Sequence, residues 1–441
     1  MSLTSAFSSH LAALSLPPGR ALVAVSGGPD SVALLDLLVG TQAEHRLGLI
    51  VAHLDHGIHP DSAKVAEAVG QLARGYGLEF VAGELALGPG TTETEARNRR
   101  YAWLEQTRRR LGAGYIITAH HADDQAETVL LRALHGTGPA GLAAMAERRG
   151  ALVRPLLPFR HAELVAHVRN RGLPVWDDPA NADITQLRAW LRHDVMPVVS
   201  RRMPEAGQNL ERLARAAAED RDAWDRLIDE LEDLEWTAEP EGCSIAGAAL
   251  AAYDSVLGAA LVRAVARRAG LRLGGERSRR VLGFLLRGRS GSWIELGDHW
   301  LVELAFDRAW FVRRGAEAEV GPATIDLARG SLEWGGWTLC PSREPAPEAQ
   351  PRKGPVAWFV PGTYGVRPWA AGDRIRPLHG SGGRLVVKCL QEARIPRHRR
   401  IRWPVVTSEA GRVVWVPGVC RSDELVPPSG TEALRVDAAI S

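Results

Sequence analysis

A chain of 441 residues is too long for one ordinary core and points to two or three domains. Its 45% hydrophobic and 24% charged residues exclude a disordered or fibrous chain, and no stretch approaches the about 18 consecutive apolar residues of a membrane-spanning helix. The formal charge of +2 says little about partners, because nucleic-acid binding depends on where charge is placed. Nearly all the basic charge is arginine, the only lysines being Lys64, Lys353 and Lys388. Cys243, Cys340, Cys389 and Cys420 are scattered with no pair at metal-ligand spacing, as expected of ordinary reduced thiols. Met1–Pro18 lacks the basic start and long apolar run of a targeting signal, so the expected location is the cytoplasm, with no membrane contact.

The first two hundred residues alternate apolar runs with helical patterns. ALVAV at Ala21–Val25 is rich in β-formers and runs into SGGPDS, after which VALLDLL has helical character. LGLIVAHLDHG at Leu47–Gly57 repeats the order of apolar run then loop, and a helix is predicted from Asp61 to Arg74. A short strand is predicted over residues 78–82 and a helix over Thr92–Leu111, while YIITAHHADD reads as a strand running into a helix that opens near Asp123. This βαβα rhythm predicts a mostly parallel sheet covered by helices, with ligands at the carboxyl ends of its strands.

Another helical block follows Arg160, and a polar turn at Asp177–Asp183 leads into Gln186–Met196, with Pro197 and Pro204 as punctuation. Residues 205–241 hold 13 acidic residues against 4 arginines with apolar residues interspersed from Leu210 to Leu234, the pattern of an amphipathic helix with a solvated acidic face. A second helix is predicted over Leu250–Ala269, a hairpin over Ser290–Leu304 and weaker strands over Ala323–Leu339. PSREPAPEAQPRKGP, Pro341–Pro355, is too rich in proline and charge for a packed element and reads as a linker. The expected architecture is α/β: a parallel-sheet catalytic domain over 1–200, a mainly helical domain with a small β element over 201–340, the linker at 341–355, and a small α+β domain over 356–441.

Ser26-Gly27-Gly28-Pro29-Asp30-Ser31 lies between a predicted strand and a predicted helix, where backbone amides can wrap phosphate. Ser26 and Ser31 can add hydroxyl donors, and Asp30 can hold Mg²⁺ or order the loop; the plainer reading is a strand-to-helix turn with Ser31 as a cap. The segment lacks both the Walker GK[ST] ending and GxGxxG. It resembles instead the PP-loop of the ATP pyrophosphatases (adenine nucleotide alpha hydrolase-like), which split ATP between its α and β phosphates.

His53-Leu54-Asp55-His56-Gly57 ends the second predicted strand, and His120-His121-Ala122-Asp123-Asp124-Gln125-Ala126-Glu127 follows the fourth. Asp124 and Glu127 are three apart, so on a helix they share a face and could grip a cation. A zinc site built from His53, Asp55, His56, His120, His121 and Asp124 is a rival, and loop hydrogen bonding is the bland alternative.

Taken together, AVSGGPDS, AHLDHG, EARNRRY at Glu95–Tyr101, AHHADDQAETVLLRALHGTG, RPLLPFR at Arg154–Arg160, DPANADITQLRAWLR at Asp178–Arg192, KCLQEARIPRHRR and VVWVPG closely resemble the tRNA(Ile)-lysidine synthetase family, over nearly the whole chain. The resemblance implies ATP-dependent adenylation of the C2 carbonyl oxygen of the wobble cytidine in tRNA(Ile) with a CAU anticodon. Attack by free L-lysine would then release AMP. It also implies ATP and Mg²⁺ at Ser26, Gly27, Gly28, Pro29, Asp30 and Ser31, with Asp30 on the metal, and Asp55 beside the nucleotide. Asp124 and Glu127 would hold lysine, His120 would handle a proton or position the base, and Arg97 and Arg192 would stabilise phosphate or developing negative charge. A homodimer is left open.

The chain departs from the family pattern at Gln186, where an aromatic is usual, at Ala189, where asparagine is usual, and at His59 and His135, often arginine. Arg384–Arg402, with Lys388, Arg394, Arg397, Arg399 and Arg400 between and Trp403 following, is expected to form an RNA-contacting face; a solvated loop with Trp403 in the core is the alternative. A tRNA-thiolating enzyme would want catalytic cysteines, and none occurs before Cys243. A small-molecule amidotransferase or NAD synthetase would not explain the basic C-terminal region, and a non-catalytic RNA binder would not need an intact phosphate loop.

Overall fold

The computed structural model describes residues 2–55, 62–85, 91–176, 187–315, 321–326, 330–380 and 382–440. It contains two compact units, Met1–Ala223 and Trp224–Ser441.

In the first unit the order is α1 (Leu3–Ala13), β1 (Gly19–Ala24), α2 (Pro29–Gly40), α3 (Gln42–His45), β2 (Leu47–Asp55), α4 (Ser62–Gly75), β3 (Glu79–Glu84), α5 (Glu93–Arg110), β4 (Tyr115–Ile117), α6 (Ala122–Leu134), α7 (Pro139–Leu142), β5 (Arg148–Arg149), β6 (Leu152–Val153) and α8 (His161–Arg171). Then come α9 (Leu187–Trp190), a π-helical turn at Leu191–Val195, α10 (Met196–Arg202) and α11 (Ala206–Glu230), whose last turns belong to the second unit.

The sheet order is β3-β2-β1-β4-β6-β5, parallel except for the β5–β6 hairpin. Alternate residues of β1 explain why both faces are covered. Ala21 and Val23 join the core under α1, α2 and α8, while Leu22 packs on the other face with Ile50, Ile116 and Leu104 of α5. The chain runs outward from β1 to β3 and returns to β4 on the other side of β1, so the segments leaving β1 and β4 flank a topological switch point. Asp36 anchors α2 from below. Its buried carboxylate accepts hydrogen bonds from Tyr76 Oη (2.7 Å), His167 Nε2 (2.8 Å) and Arg171 Nη2 (3.2 Å).

The second unit has two cores. In the first, α12 (Ser255–Arg268, capped by Asp254) and α13 (Gly275–Arg287) pack with the end of α11 on an antiparallel sheet, β7-β8-β11-β10-β9, made of β7 (Thr237–Glu239), β8 (Gly242–Ala246), β9 (Trp293–Gly297), β10 (Trp300–Ala305) and β11 (Arg308–Arg313). The predicted hairpin is β9–β10, set in a five-stranded sheet beside the three helices, which hold more of this region's residues than its strands do. The second core holds β12 (Ala323–Asp326), β13 (Leu332–Trp334), β14 (Trp337–Pro345), β15 (Val356–Phe359), β16 (Thr363–Pro368), β17 (Arg374–Ile375), β18 (Arg384–Leu385), α14 (Val386–Glu392), α15 (Arg397–Arg400), β19 (Pro404–Thr407), β20 (Val413–Val416), β21 (Cys420–Arg421) and β22 (Glu432–Ile440). Sheets β12-β16-β19-β20-β21 and β13-β14-β22-β15 enclose it.

The linker expected at 341–355 is corrected here: residues 341–345 are the second half of β14 and pair with β22, Pro341 opposite Val436 and Pro345 opposite Glu432. Prolines are tolerated because β13 pairs only as far as Leu339, so beyond it, among the described residues, no strand pairs with the other edge of β14. Among the described residues no helix is long and apolar enough to cross a membrane.

Candidate active site at the switch point

The loop after β1 is built by its own sequence. Gly27 has φ +97°, a left-handed conformation that favours glycine, and a Cβ there would come within 2.9 Å of Val65 Cγ1. Gly28 is the N-cap of α2 and Pro29 opens the helix, where a missing N–H costs nothing. Ser31 Oγ accepts from the amides of Ser26 (3.2 Å) and Gly27 (3.1 Å) and donates to the Gly28 carbonyl (2.9 Å), so the turn is held by its own hydrogen bonds. Ser31 does not cap the helix, as the plainer reading expected: Gly28 is the N-cap and no side chain caps it, while Ser31, inside the first turn, ties the loop back instead.

Asp30 stands in the first turn of α2, 25% exposed, and accepts a 2.7 Å bond from His161 Nδ1 at the start of α8. His121 Nε2 lies 3.6 Å from its other oxygen. Across the switch point, α6 opens with a capping box: Asp124 N–H donates to His121 Nδ1 (3.3 Å), and His121 N–H donates to Asp124 Oδ2 (3.1 Å). Asp123 accepts from His161 N–H (2.8 Å) and Arg160 Nη1 (3.2 Å). Arg192, on the π-helical turn, donates from Nη2 to Asp124 Oδ1 (2.7 Å) and from Nε to buried Glu127 (2.7 Å). The carboxylate pair expected to share a face does so, and an arginine of the same chain sits on it.

These bonds weigh against a zinc centre. Asp30, His121 and His161 place potential ligand atoms within 4.8 Å of one another, but His121 Nδ1 accepts an amide, so the neutral ring carries its proton on Nε2, facing Asp30 and Asp124 (3.5 Å). His53 Nδ1 donates to the Val25 carbonyl (2.9 Å), and burial pushes its pKa down. His56 and His59 lie outside the described residues, as do Gln186 and the turn at Asp177–Asp183. Asp55 closes β2 at the carboxyl edge of the sheet. Ala189 lies on α9, and His135 caps the end of α6 with Nδ1 2.7 Å from the Leu131 carbonyl.

His120 sits where two fields meet. Its Nδ1 is 3.0 Å from Thr118 Oγ1. Burial drives its pKa down to about 3; the Asp124 charge opposes this, while Arg154, Arg97 and Arg100 reinforce it. Arg97 lies over the Tyr101 ring at 5.3 Å, and Arg154 is buried with Nη1 on the Ala146 carbonyl (2.7 Å). Burial would raise the pKa of Asp124, but His121, His120 and Arg192 together hold it below the usual range. Sequence reasoning missed His121 as a cap, Asp123, Arg154 and His161. The motifs contained the first three, and His161 stands one residue beyond RPLLPFR, but their contacts join segments as far apart as Asp30 and His161.

One consequence is measurable. His120 is neutral in the fold but would titrate near 6.5 in an unfolded chain, so stability falls as pH drops below about 6.5 and continues to fall toward about 3. The depressed Asp36 and Asp124 act in the same direction: their contributions are present above the unfolded carboxylate value and lost as pH falls through the folded one. The raised His161 opposes them, its contribution being lost as pH rises. In melts between pH 7.5 and 4.5, His120→Gln is expected to flatten the acid slope by up to about one proton; an unchanged slope would mean that His120 is not held neutral.

A strand–turn–helix phosphate loop at the switch point of a parallel sheet, facing an acidic cluster, defines an ATP-using α/β enzyme of the PP-loop class. Residues 3–199 match the PP-loop domain model and residues 365–438 the TilS substrate C-terminal domain model. The chain is 34% identical to the tRNA(Ile)-lysidine synthase of Symbiobacterium thermophilum, covering 96% of this chain and 94% of that one. It is 30% identical to that of Geobacter sulfurreducens (95% and 93% covered) and 31% identical to that of Geobacillus kaustophilus (91% of each). The chain belongs to the tRNA(Ile)-lysidine synthase family and is a ligase of tRNA modification.

Proposed function

We propose that this enzyme joins free L-lysine to C2 of the wobble cytidine of tRNA(Ile) with a CAU anticodon, through an adenylated tRNA, giving lysidine, AMP and pyrophosphate. The observation that carries the reading is the two-sided site: the Ser26–Ser31 loop and the Arg97–Arg154 side suit phosphate, while Asp30, Asp123, Asp124 and Glu127 suit cations. ATP and Mg²⁺ fit the residues present. The glycines leave the loop backbone bare, and the carboxylates are the hard oxygen donors Mg²⁺ requires. Asp30 would hold the metal, which supplies neutralisation of phosphate charge.

The chain's own groups account for the rest. The amides of Gly28, Asp30 and Ser31 at the N-terminus of α2 orient the pyrophosphate, those of Ser26 and Gly27 being taken by Ser31 Oγ, with Asp55 beside the nucleotide at the sheet edge. Esterifying the cytosine C2 oxygen turns a poor leaving group into AMP. Lysine's ε-amine then forms the C2–N bond as the C2–O bond breaks and its electrons pass to AMP. The amine must first lose a proton; His120, held neutral by burial with a pKa of about 3, is a weak acceptor, which favours its role in positioning the activated base. Arg192, now on Asp124, and Arg97, over the Tyr101 ring, would meet negative charge as it develops.

The direct test is nucleoside analysis of unmodified isoleucine tRNA incubated with the enzyme, ATP, Mg²⁺ and labelled lysine. Label appearing in a lysidine nucleoside, dependent on ATP, is the expected result; AMP formation without label transfer would overturn it. Thiolation is disfavoured because the first unit contains no cysteine and burial pushes the Cys243 thiol up to about 12.

For the RNA face, the structure divides the arginines. Trp403 is buried, its Nε1 on the Pro417 carbonyl, and belongs to the core rather than to a base platform. Arg399 is paired with Glu239, Arg394 lies 3.6 Å from Asp307 and Arg402 3.5 Å from Glu241. Replacing Arg394, Arg397, Arg399 and Arg400 together by Ser is expected to weaken tRNA binding and flatten its salt dependence, mostly through Arg397 and Arg400, while ATP affinity stays near wild type. Titrations at several salt concentrations measure this. An unchanged affinity and slope would return the run to solvated surface.

A further inference from the structure

The second unit carries a cavity of about 640 Å³, within the ~300–1,000 Å³ typical of ligand pockets, that the catalytic reading leaves unused. Its apolar walls are Phe306, Trp369 and Ile401, and its polar lining includes Gln391, Arg397 and Arg400. Ile401 is 54% exposed, and Trp369 is only partly buried against the C-terminal core. Phe306 turns between β10 and β11 with φ +60°, a conformation costly for an aromatic residue, and its N–H is fastened to Ser290 Oγ (2.7 Å). That turn holds a ring at the cavity wall.

The cavity's one lining carboxylate is already spent. Glu303 is 2% exposed and accepts from Arg397 N–H (2.7 Å), His398 N–H (3.0 Å) and His398 Nδ1 (2.8 Å). It thereby fixes α15, on which Arg397 and Arg400 are three residues apart and share a side. Neither guanidinium makes an ion pair among the described residues, whereas Arg394, Arg399 and Arg402 each have one. Arg397 lies over the Trp293 ring at 3.9 Å, and Arg400 Nε donates to the Ile395 carbonyl (2.7 Å). Two planar cations therefore stand beside flat apolar walls with no salt bridge among the described residues, Arg400 feeling the Glu303 charge only at longer range.

We propose that this cavity seats one unstacked nucleotide of the RNA substrate, its base against Phe306 and Trp369 and its phosphate on Arg397 and Arg400. A base has the flat π-face that aromatic walls accept whatever its sequence, and arginine forks match phosphate. Gln391, whose side-chain amide has no partner among the described residues, can bond a base edge. An acidic peptide would satisfy the arginines and leave the aromatic walls unused. The inference rests on the reading of the chain as a tRNA-modifying enzyme.

The test uses the full chain with two probes, intact tRNA and a 5′-phosphorylated single-stranded trinucleotide carrying 4-thiouridine. Trp369→Ala is expected to weaken trinucleotide binding about ten-fold without changing its salt slope, and Trp369→Phe to retain it. Arg397→Gln should weaken binding and lower the slope by about 0.7. Ultraviolet crosslinks should map to Phe306 or Trp369. Because Arg397 is exposed, its variant keeps the test valid if Trp369→Ala fails to fold. Wild-type trinucleotide affinity in Arg397→Gln and the folded Trp369 variant, with tRNA still bound, would remove the nucleotide seat and leave the tRNA reading standing. A wild-type enzyme that binds no tRNA would remove both.

Discussion

Asp30→Ala is expected to cut AMP production about a thousand-fold, roughly 4 kcal/mol of transition-state stabilisation, and to leave the first unit folded. The carboxylate is partly exposed in the first turn of α2, and the core contacts of that helix come from Val32, Leu34, Leu35 and Leu38 rather than from it. Its structural value is the favourable placement of a negative charge at a helix N-terminus, about 0.3–1 kcal/mol, plus the bond from His161. Asp30→Asn separates the two roles, since an amide oxygen can still accept from His161 but cannot match a carboxylate on a divalent cation. If the metal role holds, Asn should be nearly as damaging as Ala. AMP is measured at saturating Mg²⁺ alongside circular dichroism; AMP formation near wild type in a folded Asp30→Ala protein would defeat the assignment.

What could be read in the sequence was what is local. The Val25–Ser31 segment announces strand, turn and helix within a few residues, because the glycines, the proline and the flanking apolar runs each have one economical conformation there. The same holds for His120–Glu127, where helical spacing alone places Asp124 and Glu127 on one face. The misses are long-range. Nothing near Pro341 reveals that Val436 will lie opposite it, so composition suggested a linker where β14 continues. Nor does spacing reveal that His161 will reach Asp30 or that Arg192 will cover Glu127, since a fold decides which loops meet. The arginine run illustrates a subtler limit: its density was visible, but which arginines are neutralised depended on Glu239, Asp307 and Glu241, far upstream in the chain.

Arg192 sharpens the expected behaviour of the lysine site. If Asp124 and Glu127 receive an ammonium, Asp124→Asn should raise the lysine KM about 30-fold, roughly 2 kcal/mol for a charged hydrogen bond lost, while changing the ATP KM much less. Asparagine preserves the cap of α6, because its oxygen can still accept from His121 N–H, so the loss would not report a melted helix. Glu127→Gln should behave similarly but also loosen Arg192, which donates to both carboxylates. Arg192→Gln is the discriminating variant. An arginine that occupies the pair in the resting enzyme and meets negative charge during reaction competes with lysine, so its removal should lower turnover without raising the lysine KM. A lysine KM that rises in Arg192→Gln as it does in Asp124→Asn would instead make Arg192 a lysine-binding residue, through the amino acid's carboxylate. Equal losses toward ATP and lysine in the two acidic variants would move Asp124 and Glu127 into the general nucleotide site, leaving the ammonium to Asp123 and the exposed edge of Asp30.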